Sequence, residues 1–160
     1  MSHKRLHAIV NPASGQEEPI LAVLNSVFRE AGYEWDMTLT QAGRDTGALA
    51  REIAASGIDV LAVYGGDDTI TAAATGLIDL NVPLAILPGG TANILAQELG
   101  IPLNLQRAAE IAIGGHPHCI DLGRVGDRFF SVRVSTGLLA SMVIGVQPDL
   151  KARFGELAYA

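Results

Sequence analysis

The sequence predicts an α/β fold, with helices on both faces of a parallel sheet in a three-layer arrangement. Three observations predict it. Short apolar runs alternate with stretches of helical periodicity along most of the 160 residues. The runs are apolar throughout rather than every second residue, as in strands covered on both sides. Glycine-containing turns recur where a run gives way to a helical stretch.

The elements follow in order. RLHAIVN (5–11) reads as a strand. Glu18 to Ala31 carries Ile20, Val23, Leu24, Val27 and Phe28 at helical spacing, and Gly32 stops it. YEWDMTLT (33–40) reads as a strand, and Asp45 to Ala55 as a helix ended by Ser56-Gly57. VLAVY (60–64) is a short buried strand, followed by a helix over Thr69 to Leu77. Pro83 to Leu87 is a strand and Ala92 to Leu99 a helix closed by Gly100. Asn104 is placed to cap a helix running to about Ile113, closed by Gly114-Gly115.

The tail changes character. CIDLGRV, then Gly126-Asp127, then RFFSVRV reads as an antiparallel hairpin. LKARFGELAYA reads as the start of a helix, with no Gly, Pro or polar tail after it, so a fragment lacking a second domain is expected. Leu138, Leu139, Met142, Val143 and Ile144 would then form an exposed apolar patch and drive homodimerisation.

Composition narrows the function classes. Nearly half the residues are apolar and 18% are charged, as in a globular domain with a real core. A formal net charge of −6 disfavours nucleic acid and standing adhesion to anionic membranes. Cys119 is the single cysteine, which rules out an internal disulfide and suits a reducing cytoplasm. The N-terminus has no long apolar region and no A-x-A site, so no signal peptide is expected. Leu138 to Val146 is far short of the roughly 20 residues of a membrane span. His116-Pro117-His118 gives no clear metal cluster, and Cys119 is expected to be a small buried residue.

In parallel sheets ligands sit beyond the carboxyl ends of the strands. Three loops occupy that rim: Asn11-Pro12-Ala13-Ser14-Gly15, Gly65-Gly66-Asp67-Asp68-Thr69, and Pro88-Gly89-Gly90-Thr91-Ala92-Asn93. Backbone N–H groups at a helix N-terminus favour an anion, and glycines remove side chains that would block its approach. Asp67 can orient donors or hold a phosphate-bound Mg²⁺ through water; an ordinary strand-to-helix turn with an Asp cap is the plainer alternative. Thr91 is placed to cap the following helix while its hydroxyl faces a ligand. The Gly65 loop fits neither the Walker A pattern nor G-x-G-x-x-G.

Taken together, HAIVNPASG, YGGDDT, LAILPGGTANILAQELGIP, IDLGRVGDRFF and LKARFGELAY resemble the N-terminal catalytic domain of the diacylglycerol kinase family. That family includes bacterial lipid kinases, sphingosine kinases and ceramide kinases and is distantly similar to NAD kinases. The resemblance implies a two-domain enzyme that uses ATP and Mg²⁺ to phosphorylate a lipid hydroxyl during brief contact with a membrane surface. Residues 1–117 would be the nucleotide-binding domain and 118–160 the start of a truncated β-rich second domain. By position, Asn11, Pro12, Ala13, Ser14 and Gly15 match the first nucleotide loop, and Thr40 a nucleotide-contacting threonine. Gly65, Gly66, Asp67 and Thr69 match a GGDGT signature, and Gly90, Thr91 and Asn93 the second glycine-rich loop.

Three departures stand out. Asp68 replaces a glycine of that signature. Gly137-Leu138-Leu139-Ala140 lacks the carboxylate of the family's Gly-Phe-Asp-Ala stretch. The general base would lie beyond Ala160. If Asp68 needs a positive φ it is strained; a carboxylate about 4–5 Å from a phosphate would repel it by roughly 3–4 kcal/mol at an effective dielectric near 20. Weakened ATP binding is therefore expected, unless Mg²⁺ bridges. The alternatives to a lipid kinase are a degenerate, non-catalytic nucleotide-binding or regulatory module and an NAD kinase relative.

Overall fold

A computed structural model of the chain describes residues 4–15 and 18–132. Four parallel strands form one sheet: β1 (Arg5–Val10), β2 (Glu34–Leu39), β3 (Val60–Gly65) and β4 (Leu84–Pro88), in the order β2-β1-β3-β4. Between and after them run α1 (Ile20–Glu30), α2 (Thr46–Ala54), α3 (Asp67–Gly76), α4 (Ile94–Glu98) and α5 (Leu105–Gly114). A separate antiparallel pair, β5 (Gly123–Val125) and β6 (Arg128–Phe130), follows.

The three layers are visible in how the strands divide their side chains. Leu6, Ala8 and Val10 of β1 and Ala62 and Tyr64 of β3 pack with Leu24, Val27 and Phe28 of α1 and Leu105, Ala108 and Ala109 of α5. Ile9, Leu61 and Val63 point the other way, onto Leu49, Ala50 and Ile53 of α2, Ile70 and Ala73 of α3 and Leu95 and Ala96 of α4. Alternation along a strand feeds both faces, so the central strands are apolar at nearly every position, with Arg5 exposed and His7 half-buried in β1. β2 lies at an edge, and its Glu34, Asp36 and Leu39 are exposed. Phe28 meets Trp35 edge-on with ring centroids 5.4 Å apart.

Most ends fall where the sequence places them. Asp45 starts α2 by accepting from the Gly47 and Ala48 amides at 2.7 and 3.2 Å. Asn104 caps α5 through the Arg107 amide at 3.0 Å. Two starts differ. α3 opens at Asp67, two residues before the expected Thr69, and α4 opens at Ile94 rather than Ala92. Cys119 is exposed, not buried, as are His116 and His118, because the link from α5 to β5 runs over the surface without regular structure. The expected hairpin is present, with Gly126 at φ 58° in its turn. Ser131 just after it bonds to Thr71 of α3 at 2.5 Å, and Val132 packs on the α2–α3 side of the core. The apolar stretch from Leu138, the Gly137–Ala140 departure and the helix expected from Leu150 lie outside the described residues.

Candidate functional site: the strand-end rim

All four strands point the same way, so the loops after them collect at one edge. Backbone bonds tie these loops across the sheet. Asn11 N–H donates to the Tyr64 carbonyl at 2.9 Å, Thr40 N–H to the Val10 carbonyl at 2.9 Å, and Gly89 N–H to the Gly65 carbonyl at 3.0 Å. Side chains add to this. Asn11 Nδ2 donates to Thr69 Oγ1 at 3.0 Å, while its Oδ1 accepts from the Ala13 amide at 3.0 Å. The first loop is thus held both to itself and to α3.

The floor is Tyr64, fully buried at the end of β3. A β-carbon on Gly89 would come 2.6 Å from the Tyr64 ring, and one on Gly15 would collide with its hydroxyl. Gly15 also has φ 94° and lies against the Gly89 carbonyl. The first and third glycine turns therefore rest on the same ring, and neither tolerates a side chain. The hydroxyl donates to Glu18 Oε2 at 3.4 Å, and the phenol's pKa is raised by burial and then by the Glu18 charge and this bond. In the sequence, the signal for Tyr64 is its position after the apolar run VLAV and before two glycines.

Four helices start at this rim: α2 is capped by Asp45, α1 has no side-chain cap, and the two that follow the Gly65 and Gly89 turns, α3 and α4, are in opposite states. At α4, Asp67 supplies both carboxylate oxygens: the Ile94 amide donates to Oδ2 at 3.0 Å and the Leu95 amide to Oδ1 at 2.9 Å. Thr91, expected to cap this helix, is exposed in the turn instead, and Asn93 takes the N-cap position with a left-handed backbone at φ 48°. The reason is geometric, since the carboxylate reaching in from α3 already satisfies the amides a threonine would take. α3, by contrast, starts at Gly66 with no side-chain cap. Its first-turn amides have no partner within the helix. Gly66 is half-buried, and a β-carbon there would meet only Gly90 Cα at 3.4 Å. Gly65 is buried under Thr69, whose Cβ would lie 2.7 Å from a β-carbon at Gly65.

Asp68 lies exposed in the first turn of α3 and is not among the positive-φ residues, which apart from glycines are Asp79 and Asn93 among the described residues. The strain considered for it does not arise, and an acid in a first helical turn is favoured by the dipole. Of the other expected site residues, Asn11, Ser14 and Thr40 are half-buried, and Pro12 and Ala13 are exposed. Ser14 N–H donates to the Asn11 carbonyl at 3.1 Å.

In sequence the loops and helix starts at the rim carry Glu17, Glu18, Asp45, Asp67 and Asp68 against Arg44, which pairs with Glu52 at 3.0 Å. An anion held there would draw on backbone amides and hydroxyls, and on a cation that arrives with it to offset the carboxylates. Among the described residues there is no group of three or more His, Cys, Asp or Glu able to hold a metal. Beside the first loop opens a cavity of about 940 Å³, walled by Val10, Met37 and Leu39 and sharing Pro12, Ser14 and Gly15 with the rim. No helix among the described residues is long and apolar enough to cross a membrane.

Comparison with known proteins yields a consistent set. Residues 5–125 match the profile of the diacylglycerol kinase catalytic domain. A diacylglycerol kinase of Bacillus subtilis is 35% identical over 161 residues, covering 98% of this chain and 53% of that protein. The probable lipid kinase YegS of Salmonella arizonae is 31% identical, covering 94% of this chain and 52% of its own length. The crystal structure of a diacylglycerol kinase from Bacillus anthracis superposes with a TM-score of 0.64 at 31% identity, over 72% of this chain and 45% of that one. The chain spans about half the length of the curated relatives it matches.

Proposed function

The chain belongs to the diacylglycerol kinase catalytic domain family, and on that premise we propose that its rim holds the polyphosphate of ATP so that the γ-phosphoryl group passes to a lipid hydroxyl. The observation that carries this reading is the contrast between the two helix starts. α4 is filled by Asp67, whereas α3 has no side-chain cap and is preceded by Gly65 and Gly66. An anion placed there meets the first-turn amides and the positive end of the α3 dipole.

Phosphoryl transfer asks mainly for positioning and charge neutralisation. The α3 amides would orient the phosphates, with Ser14, Thr40 and Thr91 supplying hydroxyls around them. The apolar cavity beside Gly15 would take the base and ribose. Mg²⁺ would be held through the phosphates, with Asp67 reaching it by way of water, and would neutralise charge on the transferred group. The lipid would be met at a membrane surface from the cytoplasm; homodimerisation belongs to the same proposal, and nucleic acid does not.

The test is calorimetric titration of Mg-ADP into the chain and into an Asp68→Gly variant. One-to-one binding that tightens in the variant is the expected result. Absence of binding in both refutes the nucleotide reading. Incubating the full-length protein with ATP and either diacylglycerol in vesicles or NAD separates lipid phosphorylation from the NAD kinase alternative, and transfer to neither acceptor favours a non-catalytic module.

A further inference from the structure

Among the described residues, Asn93 is, apart from the Tyr64 phenol, the buried side chain that carries polar atoms, 9% exposed. A buried amide is tolerated only if its hydrogen bonds are made. Asn93 makes both within three residues of itself. Its Oδ1 accepts from the Gly90 amide at 2.8 Å, and its Nδ2 donates to the Gly90 carbonyl at 2.7 Å. The Gly90 N–H is thereby taken, and its carbonyl is held by the same side chain. Meanwhile Gly90 is pressed against the neighbouring turn: a β-carbon on it would lie 2.5 Å from Gly66 Cα and 3.1 Å from Asn93 Oδ1.

These contacts make one mechanical unit. Gly89 is fixed from below by Tyr64 and by its bond to Gly65. Gly90 is fixed from behind by Asn93, and the chain then enters α4 through the left-handed backbone of Asn93 and the cap supplied by Asp67. We infer that Asn93 is a positioning residue: its side chain clamps the β4–α4 turn against Gly66 at the mouth of α3, and it acts on a nucleotide only through that turn. The nucleotide half of this rests on the reading proposed above; the clamp itself does not.

Asn93→Gly is the informative variant, because glycine keeps the left-handed backbone and removes only the clamp. Amide exchange on the ligand-free chain should accelerate by about tenfold or more at Gly90, while Ile94 and Leu95, still capped by Asp67, change by less than about threefold. Affinity for Mg-ADP should fall by about tenfold, with the thermal midpoint lowered by no more than about 5 °C. Asn93→Asp retains the acceptor for the Gly90 amide and loses the donor, so it should fall between. Unchanged exchange at Gly90 in Asn93→Gly overturns the clamp, and so does loss of the folding transition in both variants, since the residue would then serve stability alone. Faster exchange with unchanged nucleotide affinity overturns the link between the clamp and the ligand. If the wild-type chain binds no Mg-ADP, the proposed function falls and the exchange measurement alone decides on Asn93.

Discussion

Replacing Asp67 by alanine should unfasten α4. Both oxygens of this carboxylate accept backbone amides, Ile94 at 3.0 Å and Leu95 at 2.9 Å, and Leu95 is 6% exposed, so its amide cannot turn to water. A hydrogen bond to a charged group contributes about 1.5–3 kcal/mol, and loss of an N-cap alone costs about 0.5–2 kcal/mol. Allowing for partial rehydration of the Ile94 amide, Asp67→Ala should lose about 2–4 kcal/mol. With a urea slope of about 2 kcal/mol/M, the unfolding midpoint should drop by about 1–2 M at pH 7. Asp67→Asn keeps one acceptor and should lose about half as much. The assay is urea denaturation followed by circular dichroism, with exchange at the Ile94 and Leu95 amides as the local readout. A loss below about 0.5 kcal/mol in Asp67→Ala, or unaltered protection of those two amides, would refute the capping argument.

Other substitutions probe the rest of the rim. Asp68→Gly removes an exposed carboxylate beside the α3 amides, so ADP in EDTA should bind about 5- to 30-fold more tightly, from about 1–2 kcal/mol of relieved repulsion; the gain should shrink in 0.5 M salt and with Mg²⁺ present, and equal affinities in EDTA at low salt would contradict it. Gly66→Ala meets only Gly90 Cα, at 3.4 Å, so it should cost less than about 1 kcal/mol in urea denaturation yet weaken Mg-ADP by about tenfold or more in calorimetry. Gly90→Ala puts its β-carbon 2.5 Å from Gly66 Cα and should cost about 1–3 kcal/mol in the same denaturation experiment. His7 bonds to Thr38 Oγ1 at 2.8 Å, and its pKa is lowered from 6.5 by burial, with Asp36 opposing and Arg5 assisting. The unfolded chain takes up a proton there more readily than the folded one, so this contribution to stability is complete above pH 6.5 and fades as pH falls below it. His7→Gln should flatten the decline in urea midpoint between about pH 6.5 and 5.

The strands are legible in the sequence because β1 and β3 feed two helix layers at once and so are apolar almost throughout, His7 of β1 being half-buried and bonded to Thr38. Helix ends set by neighbours are legible too: Asp45 and Asn104 cap the helices they precede. The partners of the rim residues are not. Asp67 reaches a helix 27 residues further along the chain, and no local pattern announces that bond. Thr91 looks like a cap only until Asp67 is known to occupy the amides. Asn93 has to be seen with its left-handed backbone before its amide makes sense as a brace on Gly90. Cys119 looks like a core residue because cysteines usually are, but the segment around it crosses the surface.

The N-terminal strand occupies the interior of the sheet, flanked by β2 on one side and β3 on the other. During synthesis β1 leaves the ribosome first, yet its second neighbour is complete only when Gly65 has emerged, seconds later at about 5–20 residues per second. Until then one row of its amides and carbonyls and much of its apolar side surface wait unmatched. Nascent chains stalled before β3 should therefore be clients for holding chaperones, more so than those stalled after α5 has emerged and covered the sheet.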